Sequence, residues 1–143
     1  MKIITNSYEE TERAAAELAK TLKGGEVIAM YGDLGAGKTA FVRGLARGLG
    51  IEGHITSPTF TIMNAYSGRL PLYHFDVYRI ADPDEMYEIG YEDYIESDGV
   101  CVIEWAELIA DILPEEHIRI DINKDSTKGD DYREITVSVP GKE

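Results

Sequence analysis

Hydrophobic and polar positions alternate along the chain in segments that predict both helices and strands. Apolar residues recur at helical spacing between positions 14 and 22, and again on one face of positions 38–49. Between these segments, residues 27–31 form a short, continuous apolar run, which is typical of a strand covered on both faces. The sequence S-Y-E-E at positions 7–10 fits a capping box for the first helix, and the glycine pair 24–25 is expected to end that helix.

The second half of the chain predicts further strands and one acidic helix. Residues 70–78 and 100–105 are strand candidates, whereas 54–68 is expected to be loop and short strand. Pro83 is suited to the first turn of an acidic helix that continues to about Tyr94, with Asp82 as its N-cap.

The last two candidate strands differ from the earlier ones in their pattern. Residues 118–122 and 135–139 alternate with a period of two, which favours an antiparallel pair near the C-terminus. The earlier strands alternate with helices, which favours an α/β fold with a mainly parallel sheet flanked by helices. At 143 residues, the chain is expected to be a single domain, 1–143.

Composition narrows the class of protein. Apolar runs stay far below the roughly 20 residues that span a bilayer, and the first residues do not resemble a secretory signal. We therefore expect a soluble cytoplasmic protein with no membrane partner. Cys101 is the single cysteine, so an internal disulfide and a cysteine-based zinc cage are excluded. Because it lies in an apolar strand, Cys101 is expected to be a buried, inert thiol.

The net charge of −13 is distributed unevenly. Residues 1–81 carry a net charge of +1 and residues 82–143 a net charge of −14. Such a chain is a poor general binder of nucleic acid. Two interpretations of the acidic half stay open: a solvated surface, or a surface that docks a basic partner protein.

The sequence G-D-L-G-A-G-K-T at positions 32–39 is a complete P-loop motif between an apolar strand and an amphipathic helix. Its glycines allow backbone N–H groups to point at phosphate oxygens, and the helix that follows adds the positive end of its dipole. Lys38 is expected to reach the β- and γ-phosphates, and the hydroxyl of Thr39 to bind Mg²⁺.

A P-loop also needs a carboxylate on the Mg²⁺ side, at the end of a neighbouring apolar strand. Glu104 follows the apolar run 100–103, and Asp76 follows the mostly apolar run 72–75. Spacing alone does not decide between these two acids.

Nucleotide preference follows from a missing motif. Residues 123–126 resemble the guanine-reading motif of GTPases but lack its final aspartate, so ATP is the expected nucleotide. The tripeptide Ser57, Pro58, Thr59 occupies the place of NTPase switch threonines, although alone it indicates a turn.

Four segments together resemble the bacterial TsaE (YjeE) family of P-loop ATPases of tRNA threonylcarbamoyladenosine biosynthesis. They are G-D-L-G-A-G-K-T at 32–39, S-P-T-F-T at 57–61, Y-H-F-D-V-Y-R at 73–79 and I-E-W at 103–105. The first is common to all P-loop proteins, whereas the other three at these spacings are specific to the family. The resemblance covers nearly the whole chain.

The resemblance implies roles that the spacing leaves open. It implies that Glu104 is the Mg²⁺-side acid, that Asp76 lies near the γ-phosphate and is needed for hydrolysis, and that Thr59 is a switch residue. It also implies that Arg133 packs on the adenine, with Tyr8 and Thr11 near the nucleotide. The predicted catalytic residues are Lys38, Thr59, Asp76 and Glu104, and the predicted metal ligands are Thr39 and Glu104. The predicted ATP/ADP-binding residues are Tyr8, Thr11, Asp33, Leu34, Gly35, Ala36, Gly37, Lys38, Thr39, Ala40 and Arg133.

By the same resemblance, the expected function is Mg²⁺-dependent ATP hydrolysis that drives turnover of the threonylcarbamoyl-transferase complex. The expected partners are TsaD- and TsaB-type proteins, with tRNA contacted only through the complex and ATP turnover slow without them. Two departures stand out: Ala40 replaces a second threonine found in many relatives, and the chain lacks the further C-terminal segment that many relatives carry.

Two other functions compete with this one. A small-molecule kinase is disfavoured because no arginine-rich lid follows the core, and a phosphorylated acceptor would identify it. A nucleotide-dependent protein-binding switch of the GTPase type is disfavoured by the missing guanine-reading motif, and a comparison of GTP and ATP affinities would identify it.

Overall fold

Seven strands and their connecting helices make up the part of the chain that the computed structural model describes, namely residues 1–32, 37–53, 55, 56, 58 and 62–140. The strands are β1 (Lys2–Thr5), β2 (Val27–Tyr31), β3 (Met63–Tyr66), β4 (Leu72–Asp76), β5 (Val100–Glu104), β6 (Ile118–Lys124) and β7 (Arg133–Ser138). The helices are α1 (Tyr8–Ala19), α2 (Lys38–Gly48), α3 (Glu85–Glu88) and α4 (Tyr91–Ile95), with 3₁₀ segments at Ala106–Ile112 and Ser126–Lys128.

All seven strands join one sheet in the order β1-β7-β6-β2-β5-β4-β3. The central strands β6, β2, β5 and β4 are parallel to one another. At the two sides, β7 pairs antiparallel with β6 and β1, and β3 pairs antiparallel with β4. The expected α/β fold, with a parallel centre and an antiparallel pair near the C-terminus, is therefore confirmed.

The sheet separates two apolar clusters. Strand β2 is buried on both faces, as its continuous apolar run predicts, so it contributes to both. The cluster on the α1–α2 side includes Ile28, Met30, Phe41, Leu45, Val102 and Ile120. The cluster on the other side includes Ala29, Phe75, Met86, Tyr91, Ile103 and Ile109. Within the described ranges, no helix is long and apolar enough to cross a membrane.

Helix α2 lies unusually close to α1, because two glycines face that helix. A Cβ atom on Gly44 would lie 2.2 Å from the carbonyl oxygen of Glu12, and one on Gly48 would lie 2.6 Å from that of Ala16. Both distances are too short for any side chain. This close approach fixes the position of α2, the helix that follows the P-loop.

Helix α1 begins as predicted but ends earlier than predicted. Ser7 is its N-cap, and its Oγ accepts a hydrogen bond of 3.1 Å from the N–H of Glu10. The helix ends at Ala19 instead of at the glycine pair 24–25. Arg69, from a distant loop, donates hydrogen bonds to the carbonyl oxygens of Ala19 and Leu22, at 2.9 and 3.2 Å. The Ala19 carbonyl also accepts from the N–H of Leu22 at 3.1 Å, so this long-range contact adds a second donor there and fixes the turn that follows α1.

The prediction of one acidic helix from Pro83 to Tyr94 is wrong. The segment forms two short helices, α3 and α4, which are separated at Gly90, where φ is +82°. A left-handed residue cannot continue a right-handed helix. Asp82 is not the N-cap of a helix either: its Oδ1 accepts from the N–H of Asp84 at 2.9 Å, which closes a turn before α3.

Cys101 is buried as predicted, with 1% of its surface exposed, and its Sγ donates to the carbonyl oxygen of Tyr94 at 3.3 Å. Burial raises the pKa of the thiol to about 12. At pH 8 only about one molecule in 10⁴ then carries the reactive thiolate.

We expect a thiol-reactive disulfide reagent to label Cys101 in the native protein at least about 100-fold more slowly than in guanidinium chloride, since the unfolded thiol has an ordinary pKa. Equal rates in the two solutions would contradict the buried position of this strand.

Candidate nucleotide site

The residues of the candidate site meet at the carboxyl ends of the central parallel strands. β2 ends at Tyr31 and leads into the P-loop, while β4 ends at Asp76 and β5 at Glu104. Because β4 and β5 are parallel neighbours in register, Asp76 and Glu104 lie side by side. Helix α2 starts at Lys38 and packs on the face of the sheet that carries the α1–α2 cluster. Ligands of open α/β folds bind at this edge of the sheet.

Lys38 is buried, with 6% of its surface exposed, although it carries a charge. Its Nζ donates a hydrogen bond of 3.0 Å to the carbonyl oxygen of Gly32 and lies 3.8 Å from the centre of the Trp105 ring. Both partners are neutral, and within the described part of the chain Lys38 forms no ion pair. A buried ammonium group without a counter-ion is well suited to bind an anion.

Two glycines of the motif have backbone conformations that other residues rarely adopt. Gly37, directly before α2, has φ of +98°, in the left-handed region. Gly32 has φ of +141°, and a Cβ atom on it would lie 2.4 Å from the carbonyl oxygen of Ile122. The bend that leads out of β2 therefore requires glycine, as the motif predicts.

The environment of Asp76 favours its protonated form. Burial raises the pKa of this carboxyl, and the neighbouring carboxylate of Glu104 raises it further. A hydrogen bond of 3.0 Å from the N–H of Tyr78 to Oδ1 and the charge of Lys38 oppose the shift. Asp76 is thus a stronger base than an exposed aspartate.

Glu104 is held by a histidine that the sequence analysis did not assign to the site. Its Oε2 lies 2.5 Å from Nε2 of His74, and both side chains are almost completely buried. The signal was present in the sequence, because His74 precedes Asp76 by two residues on a strand and therefore shares its face. Detecting the contact, however, requires the register between β4 and β5.

Trp105 is the second residue of the site to which the sequence analysis gave no role, although it belongs to the I-E-W segment at 103–105. It has φ of +62°, the left-handed conformation that is rare for a bulky residue, and this ends β5. The ring lies against Tyr78, with centroids 4.8 Å apart, and under the Nζ of Lys38. Backbone strain of this kind persists where surrounding contacts hold it, and it clusters at functional sites.

A cleft beside the start of α2 brings together five of the predicted nucleotide-binding residues. They are Tyr8, Thr11, Gly37, Ala40 and Arg133, and Ser7 and Asp131 complete the lining. Arg133 donates from Nη1 to the carbonyl oxygens of Asp130 and Tyr132, each at 2.8 Å, which fixes its guanidinium group at the mouth of the cleft.

The two N-terminal residues of the cleft differ in exposure. Tyr8 is 44% exposed and accepts a hydrogen bond from Nη1 of Arg43. Thr11 is buried, and its hydroxyl pairs with that of Thr5 at 2.7 Å, which ties α1 to β1. Sequence patterning did not predict β1, whose four residues depend on pairing with the distant β7.

Other predicted residues lie on the first turn of α2 or outside the described ranges. Thr39 is half-buried and Ala40 buried, both directly after Lys38. Asp33, Leu34, Gly35, Ala36, Ser57 and Thr59 lie outside the described residues, so their predicted roles stay predictions.

A parallel strand that leads through a glycine-rich segment to a helix, with two acids at neighbouring strand ends, defines the P-loop NTPase class of α/β proteins. Within that class, the family model described as "Threonylcarbamoyl adenosine biosynthesis protein TsaE" matches residues 5–135. The chain belongs to the TsaE family, which confirms the resemblance drawn from its motifs.

Curated relatives and a solved structure agree with this membership. The tRNA threonylcarbamoyladenosine biosynthesis protein TsaE of Treponema pallidum is 45% identical over 138 residues, 96% of this chain and 100% of that protein. The protein of the same name from Bacillus subtilis is 47% identical over 142 residues, 99% of this chain and 87% of that protein. A crystal structure of Bacillus subtilis YdiB, 44% identical, superposes with a TM-score of 0.81 and covers 99% of this chain and 86% of that one.

Proposed function

We propose that this protein is a Mg²⁺-dependent ATPase of the cytoplasm that serves tRNA threonylcarbamoyladenosine biosynthesis. The pathway is supported by membership of the TsaE family and by two relatives, 45% and 47% identical, that are named tRNA threonylcarbamoyladenosine biosynthesis proteins. The observation that carries the ATPase proposal is the buried Nζ of Lys38, bound to the Gly32 carbonyl at the start of α2 and close to Asp76 and Glu104. A buried cation that forms no ion pair among the described residues, with two acids at neighbouring strand ends, is suited to phosphate on one side and a metal on the other.

The side chains present fit ATP and Mg²⁺. Lys38 would bind the terminal phosphates, and the cleft lined by Tyr8, Thr11 and Arg133 would take the adenine. Thr39 and Glu104 would hold the metal ion, since hydroxyl and carboxylate oxygens are the ligands that Mg²⁺ prefers. Bound Mg²⁺ would neutralise the charge that develops on the phosphate oxygens.

Asp76 is proposed to orient the water molecule that attacks the γ-phosphate. Its raised pKa makes it a better hydrogen-bond acceptor for such a water molecule than an exposed carboxylate. Thr59 is proposed to contact the γ-phosphate as a switch residue. The isolated chain is proposed to turn over ATP slowly, because P-loop enzymes commonly need an additional cation at the γ-phosphate, supplied by a partner or by loop closure.

The test measures ATP hydrolysis by the purified protein, alone and with TsaD- and TsaB-type proteins of the same pathway. We expect slow release of phosphate alone, faster release with the partners, and equal amounts of ADP and free phosphate. Phosphate transferred to a small molecule would identify a kinase instead. GTP bound more tightly than ATP would identify a switch of the GTPase type.

The acidic surface formed by α3 and α4 is proposed to steer a basic partner protein. Asp84, Glu88 and Glu92 are exposed, and reversing all three to lysine is expected to slow association with the partners about tenfold and to flatten its salt dependence. Glu85 is left unchanged, because its carboxylate accepts hydrogen bonds from the N–H groups of residues 81 and 82. Association rates are measured by stopped flow at several salt concentrations.

A matched control reverses three exposed acids elsewhere, Glu17, Glu52 and Glu115, which gives the same change of net charge. Intrinsic ATP binding is expected to be unchanged in both triple variants. If the two variants slow association equally, only the net charge matters and the acidic surface is a solvated face.

A further inference from the structure

We propose that His74 is a positioning residue for the metal side of the nucleotide site: its Nε2–H holds one carboxylate oxygen of Glu104 and thereby directs the other towards the phosphate edge of the sheet. The inference rests on the proposed function, because it assigns Glu104 to a bound metal ion. It goes beyond that function by giving a role to a histidine that lies behind the site.

The contact is built by the register of two neighbouring strands. His74 pairs with Val102, and Asp76 pairs with Glu104, so the histidine lies two residues behind both acids on the same face. The Glu104 side chain reaches back along the sheet to His74, at 2.5 Å between Nε2 and Oε2. His74 is 1% exposed and Glu104 4% exposed. The pair is therefore shielded from water, where a hydrogen bond to a charged group is strong.

The partners of the imidazole ring determine which nitrogen carries the proton. Nδ1 is buried, and in the described part of the chain it has no hydrogen-bond partner. A proton on Nδ1 would be a buried donor without an acceptor, which costs about 1–3 kcal/mol. A carboxylate, in contrast, is an acceptor only and needs a donor at Nε2. The neutral tautomer with its proton on Nε2 satisfies both conditions.

Because His74 binds Oε2, the other carboxylate oxygen of Glu104, Oε1, is available to a metal ion. Among the described residues, Oε1 forms no hydrogen bond, and it is not enclosed as Nδ1 of His74 is. Asp76 lies beside Glu104, and when it is ionised the two carboxylates repel each other. A fixed hydrogen bond from behind the site counters that repulsion. Groups of this kind orient metal-binding carboxylates, and their loss typically costs 10–100-fold in metal affinity.

Two amide substitutions separate positioning from packing. In His74→Gln, the side-chain amide nitrogen reaches the place of Nε2 and can still donate to Glu104. In His74→Asn, the amide nitrogen takes the place of Nδ1 and cannot reach the carboxylate. Both variants remove the aromatic ring from the same buried position. Because asparagine is one methylene smaller, a packing loss shows in the thermal midpoint of the same samples, whereas a positioning role shows in metal affinity.

The binding experiment titrates each protein with Mn²⁺ in the presence of ADP and follows free Mn²⁺ by electron paramagnetic resonance. We expect Mn²⁺ affinity to fall at least about tenfold in His74→Asn and to stay within about threefold of wild type in His74→Gln. ADP affinity in EDTA is expected to be the same in all three proteins. Equal metal affinity in all three, or an equal loss in both variants, would overturn the proposal.

A measurement on the wild-type protein covers the case in which a variant does not fold. Nitrogen-15 NMR of the His74 ring reports the tautomer directly, and we expect a protonated Nε2 and a bare Nδ1. The opposite tautomer would overturn the proposal without any variant. If wild-type protein binds no Mn²⁺ with ADP, the proposed function itself fails, and this result is distinct from a change confined to His74 variants.

Discussion

Replacing Lys38 with methionine is expected to lower ATP affinity by about 100-fold or more, since a buried charge-assisted contact to phosphate contributes about 3 kcal/mol. Methionine keeps an unbranched, apolar side chain of similar length and removes only the charge that lies over the Trp105 ring. The fold should be retained, because the Gly32 carbonyl and the Trp105 ring that Nζ contacts are both neutral groups, so no charged partner is left unpaired there. The thermal midpoint is expected to stay close to that of the wild type, because the desolvation cost of the buried ammonium group and its attraction to Asp76 are lost together.

Isothermal titration with ATP and thermal unfolding test this prediction on the same samples. The matched control is Lys20→Met, directly after α1, where the lysine is exposed and pairs with Glu17 at 2.9 Å. That variant should bind ATP as the wild type does. A folded Lys38→Met protein with wild-type affinity would overturn the P-loop assignment.

The P-loop was predictable from sequence because its chemistry is local. Residues 32–39 are adjacent along the chain, and Gly32 and Gly37 adopt the backbone conformations that the motif requires. The N-cap at Ser7 was predictable for the same reason, since its contact with the N–H of Glu10 spans three residues. The reciprocal contact of the predicted capping box is displaced by one residue, because Oε1 of Glu10 accepts from the N–H of Asn6 at 3.2 Å. In each case one short segment contains every group that the interaction needs.

Features that depend on long-range contacts were predicted only in part. The strand-end acids Asp76 and Glu104 were both found, but spacing did not rank them, and His74 was missed because its contact with Glu104 spans 30 residues. Strand β1 was missed because its partner β7 lies at the other end of the chain. The left-handed backbone of Trp105 also has no local signal, since glycine or asparagine is the usual residue there.

Replacing Glu104 is expected to change the metal dependence of the protein more than its nucleotide affinity. Glu104→Ala should raise the Mg²⁺ concentration for half-maximal ATP hydrolysis by about 10-fold or more, because a ligand of the metal is lost. ADP affinity in EDTA should stay within about threefold of wild type. Glu104→Gln is a milder variant for the same test, since its amide oxygen can still accept the hydrogen bond from His74 and so preserve the packing.

The neighbouring acid provides the matched comparison. Asp76→Asn removes a carboxylate from the next strand at the same register position, where it interacts electrostatically with Glu104. If Asp76 orients the attacking water, this variant should lose hydrolysis by about 10²-fold or more while its Mg²⁺ dependence stays close to wild type. Loss of the Asp76 charge slightly weakens the attraction of the site for a cation, so only a large rise in the Mg²⁺ requirement would assign the metal ion to Asp76. A wild-type metal dependence in Glu104→Ala, together with a raised Mg²⁺ requirement in Asp76→Asn, would transfer the metal-binding role from β5 to β4.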